Sequence, residues 1–174
     1  MTNVTLAEIQ KMPKVELHRH VDGAVDPRLL YGLAGGHLSS QYQSSQDVAD
    51  SVRILPGMPV EKVMAQFESV IRWMQSKENI EIVFAHQVKD LARENIVYAE
   101  LRFAPAYHMR NGLSIDQVIQ AALKGINNGL EEENERWNCP NIDVRLILCI
   151  NRECDSNLSK CIAQEAVRFS KFSG

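Results

Sequence analysis

The order of elements legible in this chain predicts an α/β fold of parallel strands joined by crossover helices. Three observations carry that reading. Apolar runs of strand length occur at residues 15–21, 96–103 and 142–150. Between and after them lie longer stretches with apolar residues at helical spacing. The resulting order is strand, helices, strand, helix, strand, helix, and such alternation favours parallel strands with right-handed crossovers.

Taken in order, Thr5 caps a short helix running to Gln10, which Pro13 closes off. The first strand follows. Asp26-Pro27 reads as an N-cap with proline at the first helical position, giving a helix to Leu33 that Gly35 and Gly36 end. Residues 37–59 are rich in Ser, Gln and Asp and read as a surface excursion. From Val60 to Arg93 the helical spacing returns, with Lys77-Glu78-Asn79 expected to split it into two helices. The second strand is stopped by Pro105. Ser114 caps a long helix to Arg136 that contains Gly125 and Gly129. After the third strand, Asp155 or Ser156 starts a helix to Phe172.

A chain of 174 residues can bury one real core. A (β/α)8 barrel needs about 250 residues, roughly 200 at the least. Three or four β/α units leave two open strand edges, which invite pairing with another chain. The chain is therefore either a small open sheet or the first half of a barrel.

Composition narrows the function. The chain is 45% hydrophobic and 24% charged with a formal net charge of -3, an ordinary globular balance. No basic excess points to nucleic acid. The polar N-terminus lacks the apolar core of a signal peptide, and no run approaches the roughly 18 apolar residues of a membrane span. Cys139, Cys149, Cys154 and Cys161 form no Cys-x-x-Cys pair and read as free thiols in a reducing cytoplasm.

The chemistry concentrates in Pro13-Lys14-Val15-Glu16-Leu17-His18-Arg19-His20-Val21-Asp22-Gly23. Side chains at i and i+2 of a strand share a face, so His18 and His20 can meet one metal ion. Imidazole suits zinc, and histidines with an open position make a catalytic zinc site. The pair ends the first strand, and sites of parallel barrels sit at such strand ends. His37, His86 and His108 are expected at the surface.

This opening motif resembles the signature of the adenosine deaminase family. Residues 97–105, Val-Tyr-Ala-Glu-Leu-Arg-Phe-Ala-Pro, resemble that family's second-strand segment, in which a Glu-x-Arg pair recurs. Leu55-Pro56-Gly57 followed by Val60-x-x-Val63-Met64-x-x-Phe67 resembles its substrate-facing helix. The resemblance implies a (β/α)8 TIM barrel that hydrolyses adenosine to inosine and ammonia, using one zinc ion to activate water. By matching positions His18 and His20 are zinc ligands, and Asp22 accepts a hydrogen bond from the ribose 5'-hydroxyl. Val60, Val63, Met64 and Phe67 would wall the nucleoside. Family members acting on adenine carry Glu at the Asp22 position and those acting on methylated AMP carry Asn, so Asp22 favours a purine nucleoside. Glu100 and Arg102 are expected to pair as scaffold inside the barrel, and Arg152 matches a position near its mouth.

The family's third histidine ligand, catalytic glutamate and aspartate ligand belong to the barrel's second half, beyond this sequence. The expectation is the N-terminal part of a single domain that is inactive alone. The alternative is a naturally short, non-catalytic protein that associates with a full-length homologue, or with itself, through its open edges. The Pro-Cys-x-x-Cys motif of cytidine-deaminase zinc chemistry is absent.

Overall fold

The computed structural model describes residues 4–34, 42–137 and 142–170. Three parallel strands form one sheet in the order β1-β2-β3, with β1 at Lys14–His20, β2 at Ile96–Phe103 and β3 at Asp143–Leu148. The helices are α1 (Leu6–Lys11), α2 (Pro27–Ala34), α3 (Ser45–Val52), α4 (Val60–Ile71), α5 (Lys77–Arg93), α6 (Ile115–Trp137) and α7 (Ser156–Ser170). α2 to α5 connect β1 to β2, α6 connects β2 to β3, and α7 follows β3.

Helix starts follow their caps. The Thr5 hydroxyl accepts from Glu8 N–H while the Glu8 carboxylate accepts from Thr5 N–H, a capping box. Ser114 and Gln117 exchange the same pair of bonds at the start of α6. Asp155 Oδ1 accepts from the backbone of Asn157 and Leu158 at the start of α7.

Two expectations need correction. The surface excursion contains α3, begun by a capping box between Ser44 and Asp47 and anchored by buried Val48. The break after α4 also falls earlier than Lys77-Glu78-Asn79. The chain leaves the helix at Arg72, and Ser76 caps α5 by accepting from Asn79 N–H. Lys77 and Glu78 thus open a helix rather than break one. Gly35, Gly36, His37, Cys139 and Phe172 lie outside the described residues.

The core lies between the sheet and the α5–α6 pair. Phe84 and Leu91 of α5, Leu101 and Phe103 of β2, and Val118 and Ala122 of α6 are buried in it, with Phe84 and Phe103 edge to face at 5.0 Å. Gly125 and Gly129 let the two helices touch. A Cβ at Gly125 would lie 2.4 Å from the Glu81 carbonyl oxygen, and one at Gly129 would lie 2.7 Å from Val88 Cβ. Both are close-approach positions within α6.

On the strands, Tyr98 donates to Glu100, and Arg102 lies 3.8 Å from the Glu100 carboxylate, the expected pairing. Among the described residues β1 and β3 each keep one unpaired edge, and Val15 and Leu17 of β1 are exposed.

Candidate metal and nucleoside site

The candidate site begins with an irregularity in β1. Glu16 pairs with Ala99 and Arg19 with Leu101, so β1 takes three steps where β2 takes two. The extra residue is a β-bulge, a device that re-aims side chains next to functional sites. Arg102 donates to the Leu17 carbonyl at 2.7 Å, and the Glu16 carboxylate accepts from His18 N–H at 3.1 Å. His18 lies within this irregular stretch and His20 just after it, and their Nε2 atoms come to 3.2 Å.

The chain then turns. Gly23 N–H donates to the His20 carbonyl, Ala24 N–H to the Val21 carbonyl, and Val21 N–H to the Arg102 carbonyl of β2. This turn buries Asp22 to 7% exposure with no hydrogen-bond partner for Oδ1, whose neighbour His20 Nδ1 is 4.0 Å away. Burial pushes the Asp22 carboxyl above its ordinary pKa, while the charge of His20 and the backbone N–H groups of Asp22 and Gly23 pull it back.

His20 and Asp22 open into a cavity of about 640 Å³ at the C-terminal ends of all three strands. Phe103 and Ala104 enter it from the end of β2, and Cys149 and Asn151 from the end of β3. The opposite wall is α4, which presents Glu61, Met64, Ala65, Phe67, Glu68 and Ile71. A Cβ on Gly23 would meet the Phe67 ring at 2.8 Å, so the glycine lets the ring lie against the turn. Glu68 and Arg110 form a two-pronged ion pair at the rim, which holds the Glu68 carboxyl below its usual pKa range. Burial raises the Tyr107 phenol and the Cys149 thiol.

Of the expected nucleoside wall, Met64 and Phe67 line the cavity, whereas Val60 and Val63 lie off the lining face, Val60 65% exposed. His18 stands beside His20 but does not line it. Arg152 is exposed, and its neighbours Asn151 and Glu153 line the cavity instead. Sequence reasoning missed Glu61, Glu68, Tyr107, Arg110, Cys149 and Asn151. The signal for the last four is position, since each follows the end of a strand, where barrel sites are built.

His108 is not a surface residue. It is fully buried, its Nδ1 is 3.0 Å from the Met74 carbonyl oxygen, and its ring lies 5.5 Å from Phe103. His86 is partly buried and lies 3.1 Å from Asp90 one turn on. No group of three or more His, Cys, Asp or Glu side chains able to hold a metal occurs among the described residues. Two imidazoles bound tetrahedrally to one zinc at about 2.0–2.1 Å place their nitrogens about 3.3 Å apart. The His18–His20 spacing fits as two donors of such a site. No helix among the described residues is long and apolar enough to cross a membrane.

The chain is 32% identical over 177 residues to the adenosine deaminase of Mycobacterium ulcerans, covering 95% of this chain and 45% of that protein. In three dimensions it is similar to an Arabidopsis N6-mAMP deaminase, with a TM-score of 0.77 and 24% identity, covering 95% of this chain and 49% of the other. It is also similar to a zinc-bound amidohydrolase of Burkholderia ambifaria, with a TM-score of 0.69 and 23% identity, covering 94% of this chain and 43% of the other. The chain spans about half the length of the curated relatives it matches. Its sheet and helices correspond to the first half of a (β/α)8 barrel. The sequence model of the adenosine deaminase family matches residues 13–172, and the chain belongs to that family.

Proposed function

We propose that this chain is the N-terminal part of a single barrel domain whose complete form hydrolyses adenosine, or a related purine nucleoside, to inosine and ammonia. The observation that carries this reading is the convergence of His18 and His20 at 3.2 Å beside a buried, unpartnered Asp22 oxygen at the cavity floor. In the proposal His18 and His20 are two ligands of one zinc ion. Zinc, when bound, lowers the pKa of its water to about 7. The part of this chain is to hold and orient. Asp22 offers an acceptor for a ribose hydroxyl, while Met64 and Phe67 give the base an apolar wall that excludes water. A cavity of about 640 Å³ lies within the roughly 300–1,000 Å³ usual for small-molecule sites.

The cavity charge supports a nucleoside over a nucleotide. Asp22, Glu61, Glu68 and Glu153 line it against Arg110, which Glu68 already engages. A phosphate would meet uncompensated carboxylates there. The test is deamination by the full-length protein of adenosine, AMP and adenine. Adenosine should be favoured, and Asp22→Ala, which removes the acceptor altogether, should lower its kcat/KM about ten-fold or more, as expected for a lost hydrogen bond to a charged group. An unchanged kcat/KM would remove the ribose role.

Residues 1–174 alone are proposed to be inactive, since two imidazoles do not complete a catalytic zinc site. Turnover by a purified sample of these residues would refute that. A second reading, association with a full-length homologue or with itself, draws on the exposed Val15, Leu17 and Ile150 and the free strand edges. Light scattering alone and with the longer chain would decide it. The described cysteines, Cys149, Cys154 and Cys161, are free thiols, which supports a cytoplasmic setting.

A further inference from the structure

We propose that Gln87, on α5, is a positioning residue that clamps the segment carrying His20 and Asp22 from the side away from the cavity. Gln87 is fully buried. Its Oε1 accepts from Arg19 Nε at 2.9 Å, and its Nε2 donates to the Ala24 carbonyl at 2.8 Å. Arginine only donates and a carbonyl only accepts, so the orientation of the amide is fixed by its partners. Arg19 and Ala24 bracket the four residues His20, Val21, Asp22 and Gly23. One side chain therefore holds both ends of the turn that carries a proposed zinc ligand and the proposed ribose acceptor.

The clamp needs an amide. A carboxylate at this position keeps the acceptor for Arg19 but has no donor for Ala24. An aliphatic side chain has neither and would leave the Arg19 Nε–H and the Ala24 carbonyl without these partners. Arg19 is itself only 14% exposed on its side chain and leans toward Glu94 at 3.6 Å, so its guanidinium belongs to the same support. On the opposite side of the strand Arg102 and Glu16 hold the bulge. The stretch beside His18 is thus held from β2, and the turn carrying His20 and Asp22 from α5. Partners that hydrogen-bond a metal ligand directly typically change metal affinity by about 10–100-fold, and Gln87 would act one step further out, through the backbone that carries His20.

The inference rests on the zinc reading for its first readout and is independent of it for the second. In the full-length chain, zinc affinity is measured by competition with a chromophoric chelator, and amide exchange is followed at Val21, Gly23 and Ala24. Four variants are compared with wild type: Gln87→Leu, Gln87→Glu, the remote core variant Ile126→Val, and His18→Ala. Gln87→Leu should weaken zinc about ten-fold or more and speed exchange at all three amides. Gln87→Glu should speed Gly23 and Ala24 more than Val21, and it decides the matter if the leucine variant does not fold. Ile126→Val should change neither readout beyond its loss of stability. Equal losses in the Gln87 and Ile126 variants at matched stability would overturn the proposal, leaving Gln87 as packing alone. If His18→Ala binds zinc as wild type does, the metal reading falls, and the exchange data still decide the clamp.

Discussion

His108 gives the protein a calculable sensitivity to acid. Its ring is fully buried between the turn after β2 and the α4–α5 junction, with Nδ1 set to donate to the Met74 carbonyl and Nε2 without a partner. Protonation would place a second N–H against apolar neighbours, including Phe103, and beside the positive charge of Arg110. Burial accordingly lowers its pKa from 6.5 to about 4. The unfolded chain binds this proton at a higher pH than the folded one, so the contribution is fully present above pH 6.5. It is lost as pH falls toward about 4 and changes no further below that. A gap of about 2.5 pH units at 1.36 kcal/mol each amounts to about 3 kcal/mol in full, and about 2 kcal/mol of this falls between pH 7 and pH 5. Urea unfolding of wild type and His108→Leu at half-unit steps from pH 7.5 to 5 isolates it. The variant is less stable at pH 7.5, but its stability should fall more slowly with acid, by about that 2 kcal/mol. Parallel slopes for the two proteins would refute the buried, neutral imidazole.

Two further perturbations separate tight contacts from loose ones. Gly125→Ala should destabilise despite alanine's better helix propensity, worth about 1 kcal/mol, because its Cβ collides with the Glu81 carbonyl. A net loss of about 1–2 kcal/mol in urea unfolding is expected, and a gain would contradict the α5–α6 contact. Glu68→Gln removes the rim ion pair with Arg110, whose side chains are about half exposed, and should cost less than about 1 kcal/mol. A larger loss would show that the pair holds α4 against the cavity.

The parts of this structure legible in the sequence are those decided within a few residues. β2 runs over residues 96–103 as read, because a strand-length run interrupted only by the alternating Glu100 and Arg102 is stopped at Pro105. His18 and His20 converge because a two-residue spacing on a strand needs no tertiary information to be recognised. The bulge that re-aims them was not legible, since it depends on the register against β2. α3 was announced by Ser44-x-x-Asp47, but the polar composition around it outweighed that capping signal. Ser76 likewise marked the true start of α5. His108 lies beyond local rules altogether, for its burial is made by Met74 and Phe103 from two other segments. The cavity is similar: Glu68, Arg110 and Cys149 are far apart in sequence and meet only because three strand ends and α4 converge.

The measurement that bears most directly on the central claim is zinc K-edge absorption on the full-length protein, wild type and His18→Ala with His20→Ala, with metal content determined in parallel. The account predicts one zinc per wild-type chain, with an imidazole-containing shell at about 2.0–2.1 Å, and loss of that zinc from the double variant. A wild-type protein that retains no zinc, or a metal shell unchanged by removing both histidines, would contradict it.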